Sequence, residues 1–212
     1  MVSMVATAWG RCLAVAMLML AGLPAAAAIP ESDEAEDLAR IEAYLNSLTS
    51  LRADLVQINP DGTVVTGRLY FARPDRLRID YDPPNDILII ANDWDLLYYD
   101  RKLDQESHLF TSQTPLGFLL EDEIRLSGGV TVTKVERRAG ELLVTLVRTD
   151  EPDQGALTLV FAERPLELRR WTVVDPQGLQ TQVLLENLQT GVALDKALFR
   201  RPKSPLDPDR RN

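Results

Sequence analysis

The chain has 212 residues and a formal net charge of −9 at pH 7, with a single cysteine and a single histidine. Such an acidic surface repels nucleic-acid phosphates and anionic lipid headgroups, which excludes DNA and RNA binding and membrane contact through a basic patch. The single cysteine, Cys12, excludes an internal disulfide and a thiolate metal site. His108 has no companions at ligand spacing, so no metal ion is expected.

Residues 1–28 are predicted to be a secretory signal peptide. Arg11 is the only charged residue before Glu31, an apolar run follows at 13–20, and Pro24 precedes four alanines. A basic flank, a short apolar core and an Ala-x-Ala site are typical of exported precursors, and the run falls short of the roughly 20 apolar residues of a membrane span. We expect cleavage near Ala28, which leaves 29–212 as one soluble domain with a formal charge of −10.

The first predicted element of this domain is an amphipathic helix over residues 32–51. Its apolar residues recur three or four positions apart, at Leu38, Ile41, Leu45 and Leu48. Acidic residues fill the first turns, where the positive end of the helix dipole favours them.

The apolar period then changes to two, which predicts strands with one dry and one wet face. In 76–81, for example, Leu77, Ile79 and Tyr81 alternate with charged residues, and an Asn-Pro-Asp-Gly turn stands at 59–62. The predicted strands are 51–58, 64–71, 76–81, 87–91, 96–100, 105–111, 130–137, 141–149, 156–161, 166–175 and 179–189.

Two helical segments interrupt or follow the strands. Thr114-Pro115 is typical of a helix start and introduces an apolar helix up to Ile124, and a short helical segment is predicted at 195–199. Ten or eleven consecutive antiparallel strands curl into a barrel or a strongly bent sheet. Helices before and within such a meander are placed to cover its open end or concave face. The pattern therefore predicts a container with a lid.

Catalytic chemistry has no visible candidate, so the protein is not expected to be an enzyme. The chain contains no Gly-x-Ser-x-Gly elbow, no phosphate-binding loop and no dinucleotide fingerprint, and no organic cofactor is expected. Most carboxylates fall in turns or alternate outward on strands, where a solvated surface explains them. A hydrolase is the least favoured alternative because no nucleophile and base stand in a recognisable arrangement.

An ordered series of fragments carries a resemblance to a known family. The series is Tyr70-Phe71-Ala72-Arg73-Pro74, then Arg76 to Tyr81, Pro83-Pro84, Leu88 to Asp93, Leu97 to Asp100 and Leu103-Asp104-Gln105. It resembles the LolA family, the periplasmic carriers of outer-membrane lipoproteins, over nearly the whole of 29–212. The chain departs from that family in having Trp94 at a usual turn glycine, Leu51 and Leu55 for aromatics and Ile79 for a tryptophan. The first change predicts a turn of another type or a strained one. The other changes predict a more aliphatic cavity and leave the ligand open.

The resemblance implies a specific fold and function. The fold would be mainly β, an incomplete, strongly curved antiparallel β-barrel of about 11 strands covered by short α-helices. The protein would be a periplasmic monomer that receives acylated lipoproteins from an inner-membrane ABC-type releasing complex and passes them to an outer-membrane acceptor. The family's functional arginine corresponds to Arg73, which would bond to lid backbone and hold the empty cavity shut.

The lid and cavity residues are expected among the apolar side chains of the inserted helix and the strands. The lid's inner face would be formed by Leu116, Phe118, Leu119 and Leu120, and the cavity by Leu77, Ile79, Leu88, Ile90, Val173 and Leu185. Plain core packing is the alternative for each of these residues. Two further readings of function stay open: a carrier of free lipids or glycolipids, and a non-catalytic binding or scaffold module with a filled core.

Overall fold

The computed structural model describes residues 31–114 and 117–202. The predicted signal peptide and Leu116 lie outside these residues. One α-helix, α1 (Glu31–Ser47), precedes the strands. The strands are β1 (Ser50–Ile58), β2 (Val64–Ala72), β3 (Arg76–Tyr81), β4 (Ile87–Asn92), β5 (Asp95–Asp100), β6 (Gln105–Phe110), β7 (Val130–Arg138), β8 (Glu141–Arg148), β9 (Ala156–Glu163), β10 (Leu166–Val174) and β11 (Gln180–Thr190).

All eleven strands form one antiparallel sheet in the order β6-β5-β4-β3-β2-β1-β11-β10-β9-β8-β7. Consecutive hairpins build each half, and the pairing of β1 with β11 joins the halves. Strand twist accumulates over so many strands and curls the sheet. Within the described residues β6 and β7 each pair with one neighbour only, so the sheet is open there. The predicted mainly β, incomplete antiparallel barrel of about eleven strands is confirmed.

Helix α1 packs its apolar face onto the main hydrophobic core inside the curl. Ile41 and Leu45 are at most 1 % exposed, and Leu48, just beyond the helix, is buried in the same core. The predicted helix was too long at its C-terminal end, because α1 ends at Ser47 and β1 begins at Ser50. From Leu51 onward buried residues alternate with exposed ones, and this period of two belongs to a strand.

The connection between β6 and β7 differs from its prediction. The α-helix expected from Thr114 to Ile124 is replaced by a 3₁₀ turn, Gly117–Leu120, followed by irregular backbone. Gly117 lies against the Thr111 carbonyl so closely that a Cβ there would stand 2.2 Å from its oxygen. The Thr114 hydroxyl donates to that same Thr111 carbonyl and does not cap a following helix. The segment predicted at 195–199 is likewise a 3₁₀ turn, Lys196–Phe199.

A second, smaller hydrophobic cluster lies on the outer face of the sheet. It contains Leu88, Ile90, Leu97 and Tyr99. The C-terminal turn Lys196–Phe199 packs on β3 and β4, where Arg78 Nη1 donates to the Leu198 carbonyl at 2.7 Å. Phe199 is 1 % exposed. This turn therefore covers the outer face, and α1 covers the inner one.

Candidate functional site: an apolar cavity closed by a helix and a turn segment

A small apolar cavity lies between α1 and the inner face of the sheet. Its walls come from α1 and the residue after it, from β1–β3, from β10 and β11, and from the connection between β6 and β7. The lining residues are Leu45, Leu48, Leu51, Leu69, Phe71, Leu77, Leu119, Ile124, Leu168, Trp171 and Leu185. The cavity volume is about 40 Å³. A cavity of roughly 150 Å³ is needed for a benzene ring, so an acyl chain enters only if a wall moves.

The structure brings together some of the predicted cavity and lid residues. Leu77, Leu119 and Leu185 line the cavity. Ile79, Phe118 and Leu120 are buried in the same core, and Val173 packs against it half-buried, but none of these four lines the cavity.

The prediction for Leu88 and Ile90 chose the wrong face of β4. Both side chains belong to the outer cluster. Because side chains alternate along a strand, their neighbours Ile87 and Ile89 point inward and pack against the main core. The expected lid residue Leu116 lies outside the described residues.

Sequence reasoning missed most of the cavity wall. The missed residues are Leu45, Leu48, Leu51, Leu69, Phe71, Ile124, Leu168 and Trp171. The apolar stripe of α1 and the alternation of β1 carried the signal for three of them, since both patterns mark an inward face. Nothing local marks Leu168 or Trp171, because their place in the wall depends on how the two halves of the sheet meet.

Arg73, the residue after β2, caps the C-terminal end of α1. Its Nη2 donates to the carbonyls of Leu45 and Asn46 at 2.7 and 2.8 Å, and its Nε donates to that of Leu48 at 3.1 Å. The last carbonyls of a helix lack partners within the helix and form the negative end of its dipole, so a cation is stabilising there. Burial lowers the pKa of Arg73, against the opposing effect of the Asp122 carboxylate, and the guanidinium stays charged at neutral pH.

Residues 117–126, here called the inserted segment, are bonded both to α1 and to the turn between β2 and β3. The Asn46 side chain accepts from Ile124 N at 2.9 Å and donates to Ile124 O at 2.8 Å. One turn earlier, Glu42 Oε1 accepts from Leu126 N at 2.6 Å. Arg73 contacts this segment at Glu121 O, which lies 3.5 Å from Arg73 Nη1. The segment is therefore bonded to side chains of α1 at Ile124 and Leu126, and to the turn between β2 and β3 at Leu120, whose carbonyl accepts from Asp75 N at 2.9 Å.

The other end of α1 is attached to the sheet by an ion pair. Asp37 is fully buried, and its Oδ1 accepts from Arg137 Nη2 at 2.6 Å. Farther along, the Tyr44 hydroxyl accepts from Leu168 N at 3.0 Å. Burial raises the pKa of Tyr44. These contacts fix α1 as the wall of the cavity against which the inserted segment closes.

The described residues contain no group of three metal-ligating side chains. His108 Nδ1 lies 2.9 Å from Asp95 Oδ1, and the histidine is exposed on β6. Across 31–114 and 117–202, no helix is long and apolar enough to cross a membrane.

A curled antiparallel sheet with an apolar interior, closed by a helix and a turn segment, is the architecture of an incomplete β-barrel with a covered concave face. The family profile described as "Outer membrane lipoprotein carrier protein LolA" matches residues 46–202. The chain therefore belongs to the LolA family, and family membership supports a lipoprotein-carrier role at that level.

The chain is similar to individual carrier proteins and, more distantly, to solved structures. The chain is 28 % identical over 169 residues to the outer-membrane lipoprotein carrier protein of Methylococcus capsulatus, covering 76 % of this chain and 80 % of that one. It is 26 % identical over 195 residues to the protein of the same name from Pseudomonas aeruginosa, covering 86 % and 91 %. Among solved structures, a LolA superfamily protein from Nitrosomonas europaea overlaps with a TM-score of 0.45 and 11 % identity, over 77 % and 97 % of the chains.

Proposed function

We propose that this protein is a periplasmic carrier that shields the acyl chains of lipoproteins between the inner and the outer membrane. The observation that carries the proposal is the wholly apolar cavity beneath α1, whose closing segment is held by a few polar contacts from Asn46, Glu42 and Arg73. No catalytic step is part of the proposal.

The energetics explain why a carrier would be needed. Burying a methylene gains about 0.8 kcal/mol, so one chain of about 16 carbons gains on the order of 12 kcal/mol on leaving water. A molecule with two or three such chains does not cross an aqueous compartment unaided at a useful rate. The carrier must also release its cargo, and a closed empty form offsets part of the binding free energy.

The small cavity volume describes the closed, empty form in this proposal. Loading would move the inserted segment, which carries Leu119 and Ile124 of the cavity wall, outward, while α1 stays anchored to the sheet through Asp37 and Tyr44. Arg73 would favour the closed form by holding the end of α1 to which the segment is attached. An inner-membrane ABC-type complex would supply the lipoprotein, and an outer-membrane acceptor would take it.

Native mass spectrometry of the protein, purified from the periplasm without detergent, tests the proposal. We expect a monomer that begins near residue 29 and carries added mass that fragments to acylated cysteine peptides. Added mass that matches free lipid would replace lipoproteins by lipids as the cargo. A bare mass, together with no uptake of a synthetic tripalmitoylated cysteine peptide, would contradict carriage and favour a scaffold with a filled core.

A further inference from the structure

The two polar side chains of α1 that hold the inserted segment lie one above the other. Glu42 and Asn46 are four residues apart, which places them on one face of the helix. Both are half-buried, and each bonds to backbone of the segment at 2.9 Å or less. Asn46 makes two such bonds to one residue, Ile124, so both the backbone N–H and the backbone C=O of Ile124 have a partner.

Arg73 is connected to this pair through Asn46. Its Nη1 lies 3.3 Å from Asn46 Oδ1, and its Nη2 donates to the Asn46 carbonyl at 2.8 Å. The direct contact of Arg73 with the segment, at Glu121 O, is longer at 3.5 Å. Both contacts above 3.2 Å are weak, so the strong link from Arg73 to this pair is the 2.8 Å bond to the Asn46 carbonyl.

We propose that Asn46 and Glu42 are the positioning residues that hold the cavity closed, and that Arg73 acts on the inserted segment through Asn46. The inference rests on the proposed function for its biological meaning. What it says about the bonds that hold residues 117–126 concerns the empty protein alone. Arg73 fixes the last turn of α1 and orients the Asn46 amide, and the amide then fixes Ile124 at the mouth of the cavity.

Hydrogen–deuterium exchange of the empty mature protein tests this relay. Asn46→Ala and Glu42→Ala should each speed exchange in residues 117–126 about fivefold to tenfold, because each removes bonds that hold this backbone. Exchange in the α1 backbone at 33–45 should stay as in the wild type. Ser47→Ala is the matched control in the same turn, because its hydroxyl bonds only to the Tyr44 carbonyl of its own helix.

A double variant separates a relay from a direct contact. Arg73→Leu should speed exchange in 117–126 in the wild-type background but add less than twofold when Asn46 is already alanine. An equal effect of Arg73→Leu in both backgrounds would mean that Arg73 acts directly, and it would overturn the relay. Unchanged exchange in Asn46→Ala, or faster exchange throughout α1, would overturn the role of Asn46.

A conservative variant keeps the test informative if the alanine variant folds poorly. Asn46→Asp keeps acceptors for Ile124 N and for Arg73 but sets a carboxylate oxygen against Ile124 O in place of the amide donor, so exchange in 117–126 should still be faster than in the wild type. The exchange experiment uses no cargo, so it stands apart from the proposed function. Carriage is tested by uptake of a tripalmitoylated cysteine peptide, which Asn46→Ala should bind about fivefold more tightly because its binding-competent form is more populated.

Discussion

Replacing Arg73 by leucine should leave the protein folded and able to load cargo while making release inefficient. The side chain makes three bonds of 2.7–3.1 Å to the carbonyls of Leu45, Asn46 and Leu48. A hydrogen bond from a charged donor contributes about 1.5–3 kcal/mol when it is buried, and less when water replaces part of it. Arg73 is half-buried, so we take about 1 kcal/mol for each bond and about 3 kcal/mol in total.

In the proposed scheme α1 stays in place on loading, so only the Arg73 contacts that lead to the inserted segment, at Asn46 Oδ1 and Glu121 O, would favour the closed, empty form. If these contacts contribute about 1 kcal/mol, their loss should shift the balance between retention and release about fivefold toward retention. The assay loads the protein with a fluorescent tripalmitoylated cysteine peptide and follows its transfer to vesicles of zwitterionic phosphatidylcholine. Neutral vesicles are chosen because a protein with a net charge of −9 is repelled by anionic ones.

Two variants control for charge and for folding. Arg169→Leu removes an exposed arginine that forms an ion pair with Glu167 and lies outside the cavity lining, and it should transfer cargo as the wild type does. Arg73→Lys keeps the charge but loses the planar, multiple-donor geometry, so its transfer should be intermediate. Wild-type transfer by Arg73→Leu, or an equal defect in Arg169→Leu, would refute the assignment of Arg73 to the closed form.

Three further predictions concern the cavity, the anchor of α1 and a buried phenol. Leu77→Ala at the cavity and Leu88→Ala in the outer cluster should each lower the free energy of unfolding in urea by about 2–5 kcal/mol. Only Leu77→Ala should change the binding of an apolar naphthylamine dye. Equal changes in dye binding would contradict the placement of the two residues on opposite faces of the sheet. Asp37→Ala should lower the free energy of unfolding by about 1–3 kcal/mol. Asp37→Asn should lower it by less, since the amide oxygen still accepts from Arg137. A larger loss in Asp37→Asn than in Asp37→Ala would contradict the assigned contact. Burial raises the pKa of Tyr81 to about 12. The phenol of the unfolded chain therefore ionises first, and the free energy of unfolding falls as the pH rises above about 10. Tyr81→Phe should weaken that fall, and an unchanged alkaline unfolding curve would contradict the burial of Tyr81.

The strands were predictable because most of them show their period plainly. In β3 the alternation of Leu77, Ile79 and Tyr81 with charged residues gives both the strand and its buried face, and all three side chains are buried. In β4 the run from Ile87 to Ala91 is apolar throughout, so either face satisfies the pattern and the sequence does not choose between them. The choice was made by β3, with which β4 must share a register, and by the C-terminal turn that covers Leu88 and Ile90 from outside.

At the turn Asp93-Trp94, too, the sequence predicts part of the structure and the tertiary structure decides the rest. A glycine is usual there in the family, and its absence indicated another turn type or strain. In the structure Asp93 takes the left-handed conformation with φ 56°, which aspartate tolerates better than most residues. Trp94 is left 67 % exposed beside Phe110, with ring centroids 5.6 Å apart.

By itself, the sequence determined the class of fold and the approximate number of strands, and its resemblance to a family singled out Arg73 as a residue of interest. Periodicity and turn residues are signals within short stretches of sequence. The ordered fragments around Arg73 are likewise recognised from the sequence alone, without knowledge of their tertiary contacts. Only the tertiary structure decided what Arg73 bonds to, which residues enclose the cavity, and that Asn46 and Glu42 hold the inserted segment. These depend on how the curl of the sheet brings α1, the end of β2 and the β6–β7 connection together, across separations of 27 residues for Arg73 and Asn46 and 78 for Asn46 and Ile124. No local pattern encodes contacts over such distances, because they are set by the packing of the whole sheet.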